Sequence, residues 1–501
     1  MENLNSTPNP KLRFDDPVKN LLSSVKIITI KPTSAPSAGQ ACSASDAITF
    51  KLPSAGIGKM GSMYLQYDIL TNSAGTDTTS GIAPVGSVLD EHAPDASIFN
   101  RMRVHSSDGT MVSDTANYGT YCSVMNRLKN NRDESSSRGS IVRGEGLSVF
   151  ESGDNTGTKL NQFNMTHLTD GGNAVSANEL AVRFSSGAGR NYRLQSQQRN
   201  AEVFGAVSGV GTTVCHRIQS GLLDAEVGHM LPFFAMGSGY SLEFGLENPE
   251  VALKLVGANA LNSLGAVAAI GTDASNKGSY SLANIQLVME VQYYSSEIFS
   301  NINEMLCDGI KLRVPRVRTQ VNKLTSQSNN IQLSEHGRSI NALVCGVRDT
   351  DKTGKFGFFH NDFVYKSSDN VKITQLQTSC GSETIPSNPI KYSSQSYLEL
   401  ERAVGQGREG YRLGNKINAN TYYKDADFLN AVSGDALFGV SFMSAPEMRD
   451  VMSGKASSSG SIPLSLQLDL DGTSTKSELF SIVMSDSVVE LLHDGSCIVS
   501  R

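Results

Sequence analysis

Apolar and polar residues alternate along many short stretches of this chain, as they do in strands with one buried face. The clearest stretches are 240–246, 285–293 and 462–470, where every second residue is aliphatic or aromatic; Val288 disturbs the second one. An Asp-Gly pair, which favours a tight turn, closes the third stretch at Asp471 and occurs at four other places. Many strands, few helices and long polar loops predict antiparallel β-sandwiches.

Helical periodicity is confined to short segments, in each of which packing against the core is the expected role. We predict helices at 118–128, 298–306, 396–405 and 428–434. In the third segment Ser396 and Glu399 have the spacing of a capping box, and Gly405 is a suitable C-terminal cap.

The organisation of the chain predicts two domains. Its 501 residues exceed what one hydrophobic core usually serves. A Gly-rich or Ser-rich turn, an alternating strand, a loop and a second strand occur once before the helix near residue 300 and again near the C-terminus. We therefore expect a first jelly roll at 23–300, with a large polar loop at about 129–200, and a second at 301–501.

Charge and terminal sequence restrict the class of protein. The formal net charge of −6 argues against a chain that neutralises nucleic-acid phosphates, and residues 1–22 carry three basic against three acidic residues. We interpret that segment as a flexible N-terminal arm. It lacks a signal-peptide pattern, and no run of about 18 apolar residues follows anywhere. We expect the protein in the cytosol or nucleus, or released by a route other than secretion.

Cysteine usage indicates free thiols in a reducing compartment. The seven cysteines are odd in number, scattered and never in Cys-x-x-Cys spacing. Structural zinc would need clustered ligands, which the sequence lacks. Asn5 and Asn164 begin glycosylation sequons, which matter only if the chain meets glycosylating enzymes.

Candidate catalytic and metal-binding motifs each have a simpler explanation. Cys215 and His216 are adjacent in a strand, so their side chains point to opposite faces and do not form a dyad. The segment 90–95 contains three acids and His92, but we interpret it as a solvated loop next to a proline.

Two further motifs, 469–472 and 209–211, are incomplete versions of a calcium loop and a dinucleotide fingerprint. We predict no enzyme activity, no catalytic or metal-binding residues and no cofactor.

Segments in both halves resemble the double jelly-roll major capsid proteins of polinton-like viruses, virophages and nucleocytoplasmic large DNA viruses. In the first half the similar segments are 221–223, 227–234 and 280–288, on either side of the strand at 240–246. In the second half they are 375–378, the Pro-x-x-Pro stretch 385–390 and the helix at 396–404. A proline-rich extended segment lacks two backbone donors, so it suits the exit of a strand and not a central strand.

This resemblance implies a virion protein that assembles in the host cytoplasm or nucleus. Three chains, hence six similar jelly rolls, would form a pseudo-hexagonal capsomer that tiles the icosahedral shell of a double-stranded DNA virus. The partners would be other copies of the chain, penton proteins and minor capsid proteins, with no sequence-specific binding of nucleic acid. The long loops, including 129–200, would project outward or clasp a neighbour.

Two other function classes stay open on the residues alone. The first is a carbohydrate-binding β-sandwich, such as a viral fibre or lectin, because jelly rolls serve both roles. Its only candidate site is Tyr422 and Tyr423 with Asp425 and Asp427, which we interpret more simply as one face of a helix. The second is a β-sandwich hydrolase, against which stands the lack of any recognisable arrangement of catalytic residues.

Overall fold

The protein is described here from a computed structural model. It describes residues 22–74, 84–90, 92–130, 138–139, 142–143, 169–170, 173–174, 212–235, 239–257, 277–307, 309–356, 358–405, 417, 419–426, 434–443, 454–458, 462–492 and 496–500. The predicted arm 1–22 except Leu22, nearly all of the loop 129–200, both sequons and the predicted helix 428–434 except Gly434 fall outside these residues.

The described strands before residue 295 pair only with one another. In chain order they are β1 (Leu22–Ile30), β2 (Ala47–Lys51), β3 (Ile57–Ala74), β4 (Pro84–Leu89), β5 (Phe99–His105), β6 (Met111–Ala116), β7 (Thr169–Asp170), β8 (Asn173–Ala174), β9 (Thr212–His216), β10 (Met230–Pro232), β11 (Ser241–Leu246), β12 (Leu253–Gly257) and β13 (Lys277–Tyr294). One sheet has the order β1-β13-β3-β10, with β9 also on β3, and a second has the order β2-β11-β5-β6. The pairs β4–β12 and β7–β8 are separate two-stranded ribbons.

The described strands after residue 309 form a second pair of sheets. They are β14 (Ile310–Leu324), β15 (Ser328–Gln332), β16 (Gly337–Asp349), β17 (Ile373–Cys380), β18 (Glu383–Lys391), β19 (Leu437–Ser441), β20 (Lys455–Ser457), β21 (Leu464–Leu470), β22 (Ser477–Leu491) and β23 (Cys497–Ser500). The sheet orders are β14-β22-β16-β19, with β20 on β16 and β23 on β22, and β15-β21-β17-β18. Each four-strand path therefore repeats the corresponding path of the first half, as in two jelly rolls.

The predicted alternation is confirmed where a strand has one buried face. In β11 every second residue is buried, and in β21 all four leucines are buried. Strand β21 begins at Leu464 and not at Ile462, where the predicted stretch began, because Pro463 has no amide hydrogen to donate. In β13 Val288 is buried beside Met289 because the register against β3 shifts just after it.

Five described α-helices accompany the strands: α1 (Tyr118–Lys129), α2 (Pro249–Ala252), α3 (Ser296–Cys307), α4 (Ser394–Gly405) and α5 (Ala419–Tyr422). Two short 3-10 helices, Gly221–Leu223 and Phe233–Ala235, are also described. The predicted helices at 118–128, 298–306 and 396–405 are confirmed as α1, α3 and α4. The capping box is wrong, because α4 begins at Ser394 and the hydroxyl of Ser396 donates back to the carbonyl of Ser393. The Ser393 hydroxyl instead accepts the amide of Gln395, so it caps the helix one turn earlier than predicted.

Candidate functional site: the contact between the two sandwiches

Helix α1 places Arg127 at the contact between the two sandwiches. The helix follows β6 in the first sandwich, and residues 118–128 are buried on all sides. Arg127 is 0% exposed, which is rare for arginine and requires that each of its donors be satisfied. The hydrogen bonds of its guanidinium group therefore show how the two halves are joined at this point.

All five N–H donors of Arg127 are used. Two go to Ser123 on the preceding turn, whose carbonyl accepts from Nε at 3.3 Å and whose hydroxyl accepts from Nη2 at 3.0 Å. The other three go to the second half: Nη1 donates to the carbonyl of Gly434 (2.8 Å) and to Oδ1 of Asp435 (3.0 Å), and Nη2 donates to the carbonyl of Asn361 (3.0 Å). One carboxylate balances the charge, and carbonyl oxygens accept the remaining hydrogens.

Asp90 extends this network on the side of the first sandwich. Its Oδ1 accepts the hydroxyl of Ser123 at 2.9 Å and the amides of His92 and Ala93. Its Oδ2 accepts the side-chain amide of Asn361 at 2.9 Å, which is a second bond across the contact. The described residues of the segment, Asp90 and 92–95, are therefore buried, and our interpretation of it as a solvated loop is wrong. Asp90 is satisfied by the amides of His92 and Ala93, by the hydroxyl of Ser123 on α1 and by the side-chain amide of Asn361 in the second sandwich.

A buried ion pair supports the second-sandwich side of the contact. Nζ of Lys424 lies 2.7 Å and 2.9 Å from the two oxygens of Asp362, and the amide of Gly434 donates to the same carboxylate. A methyl group on Gly434 would lie 2.1 Å from the carbonyl oxygen of Phe363, so only glycine allows this approach. Lys424 and Asp362 thus fix the backbone carbonyl that Arg127 contacts.

A second contact region runs along β14, the first strand of the second half. The hydroxyl of Thr319 donates to the carbonyl of Ala116 at the end of β6, and the side-chain amide of Asn117 donates back to that hydroxyl. Further along the strand the imidazole Nε2 of His229 lies 2.9 Å from the carbonyl oxygen of Arg313. Polar contacts therefore join the halves in this region as well as around Arg127.

Charges cluster where β14 faces β6. Asp114 on β6 is bound by Arg101 at 2.6 Å and lies 3.9 Å from Arg318 of β14. Burial alone would raise the pKa of Asp114, but the hydrogen bond from Arg101 and the charges of Arg101, Arg103 and Arg318 hold that pKa below its ordinary value. The carboxylate stays ionised, and a cavity of about 290 Å³ beside it is lined by both halves.

His216 lies inside the first sandwich and not at a reactive surface. Its Nδ1 is 2.8 Å from the carboxylate of Asp95, and its Nε2 is 2.9 Å from the hydroxyl of Tyr118. All three residues are 0% exposed, so no substrate can reach them. Cys215 is half-buried on the opposite face of β9, as predicted. An Asp–His–Tyr series in this setting orients a core histidine.

Solved structures provide the comparison that decides the fold. A chain of the Sputnik virophage, solved by cryo-EM, matches with a TM-score of 0.58 at 12% identity over 99% of this chain and 92% of that chain. The Faustovirus major capsid protein matches with a TM-score of 0.53 at 10% identity over 97% and 94%. The mavirus major capsid protein matches with a TM-score of 0.50 at 12% identity over 99% and 93%. No protein-family model and no curated protein matches the chain.

The chain has the double jelly-roll fold of viral major capsid proteins. The resemblance noted at 221–288 and 375–404 is thereby confirmed for the fold. The Pro-x-x-Pro stretch of that resemblance lies in β18, an edge strand of the double jelly roll, where missing amide donors break no ladder on the open side. The prediction that it would not form a central strand is confirmed, but the expected strand exit is wrong, because both prolines lie within β18.

The candidate carbohydrate platform is not an exposed aromatic surface. Tyr422 is 3% exposed and stacks on Tyr392 with ring centroids 4.9 Å apart. Its hydroxyl bonds to that of Ser396 on α4, and only Tyr423 of the pair is exposed. Asp427 lies outside the described residues. These tyrosines hold α4 and α5 within the second jelly roll.

In the part of the chain that the structure describes, no helix is both long and apolar enough to cross a membrane. Within the same ranges no group of three or more His, Cys, Asp or Glu side chains is placed to hold a metal ion. The seven cysteines all lie in these ranges as free thiols, five of them buried, which agrees with the predicted usage.

The Arg127 network could not be read from the sequence. A pairing that spans 307 or 308 positions leaves no local pattern. The one local signal was the i, i+4 spacing of Ser123 and Arg127 within the predicted helix.

Proposed function

We propose that this protein is the major capsid protein of a double-stranded DNA virus, and that three copies form a pseudo-hexagonal capsomer of an icosahedral shell. The observation that carries the proposal is the double jelly-roll fold, shared over nearly the whole length with major capsid proteins of Faustovirus and mavirus. We further propose that residues 23–300 and 301–501 are its two domains and that residues 1–22 form a flexible arm.

The polar contact between the two sandwiches supports a role as a rigid tile. A lattice transmits load through each subunit, so the two jelly rolls need a fixed relative orientation. Arg127 and Asp90 supply directional bonds between the halves, in contrast to an apolar contact that tolerates sliding. The role is structural and not enzymatic, in the virion, with assembly in the host cytoplasm or nucleus.

The remaining partners belong to the same proposal. Other copies of the chain would meet at large interfaces, and penton and minor capsid proteins would close and join the lattice. The loop 129–200 would extend outward or contact a neighbouring capsomer. No sequence-specific contact with nucleic acid is proposed, consistent with the net charge of −6.

Assembly of the purified full-length chain tests this function. Light scattering after size exclusion should give the mass of three chains, and negative-stain electron microscopy should show hexagonal plates of uniform diameter. At raised protein concentration or in crowding agents the plates should associate edge to edge. A monomer at every concentration, with no plates in micrographs, would overturn the proposal.

A further inference from the structure

The cavity beside Asp114 is built by both jelly rolls of one chain. Its volume is about 290 Å³, and its walls are formed mainly by residues 111–115 of β6 with Arg101 of β5 on one side and by residues 314–318 of β14 on the other. This volume lies at the lower end of the range for small-molecule sites, so it suits a compact ligand with its water. A ligand held there would touch both halves.

The charged side chains around the cavity leave one positive charge without a close partner. Three arginines line it, Arg101, Arg316 and Arg318, against one acid, Asp114. Nε and Nη2 of Arg101 donate to the two oxygens of Asp114 at 2.6 Å and 2.7 Å. Nη1 of Arg316 lies 3.0 Å from Oε1 of the buried Glu335. The two acids are thus each paired with one arginine, and Arg318 carries the remaining charge.

Arg318 lies between the two acids and is hydrogen-bonded to neither. Its Nη1 is 3.9 Å from Oδ2 of Asp114, and its Nε is 3.9 Å from Oε2 of Glu335. Both distances exceed the limit of about 3.2 Å for an N–H···O hydrogen bond. The side chains of Arg101 and Arg318 are 39% and 41% exposed, so small solutes can reach the cavity from the solvent. The guanidinium of Arg318 is therefore open to a ligand.

Hydroxyl groups on the first-half wall of the cavity are held in place by local hydrogen bonds. The hydroxyl of Ser113 accepts the amide of Leu222 at 3.0 Å, and those of Thr115 and Ser220 are bonded to each other at 2.7 Å. Gly221 has a φ of 74°, and a Cβ there would lie 2.5 Å from the Ser113 oxygen. Because the Ser113 oxygen is already an acceptor, its own hydrogen can be donated into the cavity. The wall is thus preformed.

We propose that this cavity binds a small free oxyanion of the phosphate or sulfate class, with Arg318 as its main partner and Arg101 as the second. Such an anion has the charge that Arg318 lacks and several acceptor oxygens for a planar guanidinium. It would contact β14 of one jelly roll and β6 of the other, and so would tie them together. The carboxylate of Asp114 lines the same cavity and limits the affinity.

The proposed site does not depend on the proposed function, because only one chain forms the cavity. A free anion suits this enclosed volume, whereas the phosphates of a nucleic-acid strand need an open groove for the neighbouring nucleotides. The anion would bind the folded chain and not the unfolded one, since residues of both halves surround it. Its concentration should therefore raise the stability of the protein.

Titration of the full-length protein with inorganic phosphate tests the site. The ionic strength is kept constant with sodium chloride, so that screening alone gives no response. We expect a saturable rise in melting temperature, and isothermal titration calorimetry gives the Kd. Arg318→Gln should raise that Kd about ten-fold or more, because a charged donor pair is lost. Arg402→Gln is the matched control, since that side chain on α4 is 63% exposed and far from β14 in the sequence, and it should leave the Kd unchanged.

A second variant should act in the opposite direction. Asp114→Asn removes the carboxylate that faces the anion, and we expect the Kd for phosphate to fall about three-fold or more. Circular dichroism checks that the variant is folded. A role of Arg318 confined to weak pairing with Asp114 and Glu335 predicts neither a phosphate effect in the wild type nor a tighter one in Asp114→Asn.

The other outcomes are equally distinct. No saturable response to phosphate beyond that to sodium chloride would overturn the proposal. A response with the same Kd in the wild type and Arg318→Gln would mean an adventitious ion only, bound elsewhere, and would overturn it too. Tighter binding of hexathymidylate than of phosphate, lost in Arg318→Gln, would assign the site to a nucleic-acid strand instead. In crystals soaked with tungstate, an anomalous peak beside Arg318 would support the proposed position.

Discussion

Nη1 of Arg127 lies 3.0 Å from Oδ1 of Asp435, although 308 positions separate the two residues in the sequence. Their side chains are 0% and 2% exposed. Desolvation costs each charge several kcal/mol, which the pair offsets only because the carbonyls of Gly434 and Asn361 accept the other N–H groups. The pair makes the orientation of the two jelly rolls specific, whatever its net contribution to stability.

Replacement of Arg127 should therefore lower the free energy of unfolding. In Arg127→Met the carboxylate of Asp435 is left buried without its cation, and the two carbonyls across the contact lose their donor. We expect a loss of about 3–5 kcal/mol in the free energy of unfolding. Urea titration followed by far-UV circular dichroism measures it. Arg402→Met is the control, since that side chain is 63% exposed and pairs with Glu399 on the same helix, so its loss should be about 0–1 kcal/mol. Equal losses in the two variants would refute the assigned role.

Substitution of Gly119 by alanine should destabilise the protein, although helix propensity alone predicts that it would stabilise it. An alanine inside an exposed helix usually gains about 0.5–1 kcal/mol over glycine. In α1 a Cβ on Gly119 would lie 2.7 Å from the carbonyl oxygen of Ala96 and 3.0 Å from that of Phe99, both backbone atoms. Gly119→Ala should therefore lower stability, by about 1–3 kcal/mol. Thermal unfolding compares it with Asn303→Ala on the exposed face of α3; a rise in melting temperature for Gly119→Ala would contradict this packing.

How much of this structure the sequence predicts depends on the range of the interactions involved. The alternation in β11 and the periodicity of α1 are local, so both elements could be placed within a few residues. Sheet order follows only by resemblance, because register is decided between strands far apart in the chain. The fold class was therefore predictable from the residues, and the pairing of individual strands was not.

The contact between the jelly rolls escaped prediction for the same reason. The segment 90–95 is rich in charge and next to a proline, which usually indicates solvent exposure. It is buried because Asp95 meets His216 and Asp90 meets Asn361, partners 121 and 271 positions away. Nothing in a local window distinguishes these acids from solvated ones.

Asp224 should make the protein less stable as the pH rises. Burial, and next the charge of Glu226, raise the pKa of its carboxyl from 3.8 to about 6. The folded state thus holds a proton that the unfolded chain releases near pH 4, so stability is greatest below that pH and falls up to about pH 6. Asp224→Asn keeps an oxygen for the amides of Glu226 and Val227 and removes this titration.

The Asp224→Asn variant should be more stable than the wild type at pH 8 by about 1–2 kcal/mol, with the advantage lost near pH 4. Calorimetric melting at the two pH values measures the difference. Asp224→Ala, which lacks the acceptor oxygen, should be destabilised at both. An advantage for Asp224→Asn that persists unchanged at pH 4 would show that ionisation is not its cause.

His360, in contrast to Asp224, should make the protein less stable as the pH falls. Burial, and next the charge of Arg348, hold the pKa of its imidazole well below 6.5, and Nη1 of Arg348 lies 2.9 Å from its Nε2. Below about pH 6.5 the unfolded chain takes up a proton that the folded chain refuses, so stability falls as the pH drops through that value. Between pH 7.5 and 5 this group should account for a loss of about 1–2 kcal/mol. His360→Gln offers an amide oxygen to Arg348 but does not titrate, so its free energy of unfolding should decline less over the same range. Urea titrations at half-unit pH steps test this, and parallel curves for the variant and the wild type would assign the acid sensitivity to other groups.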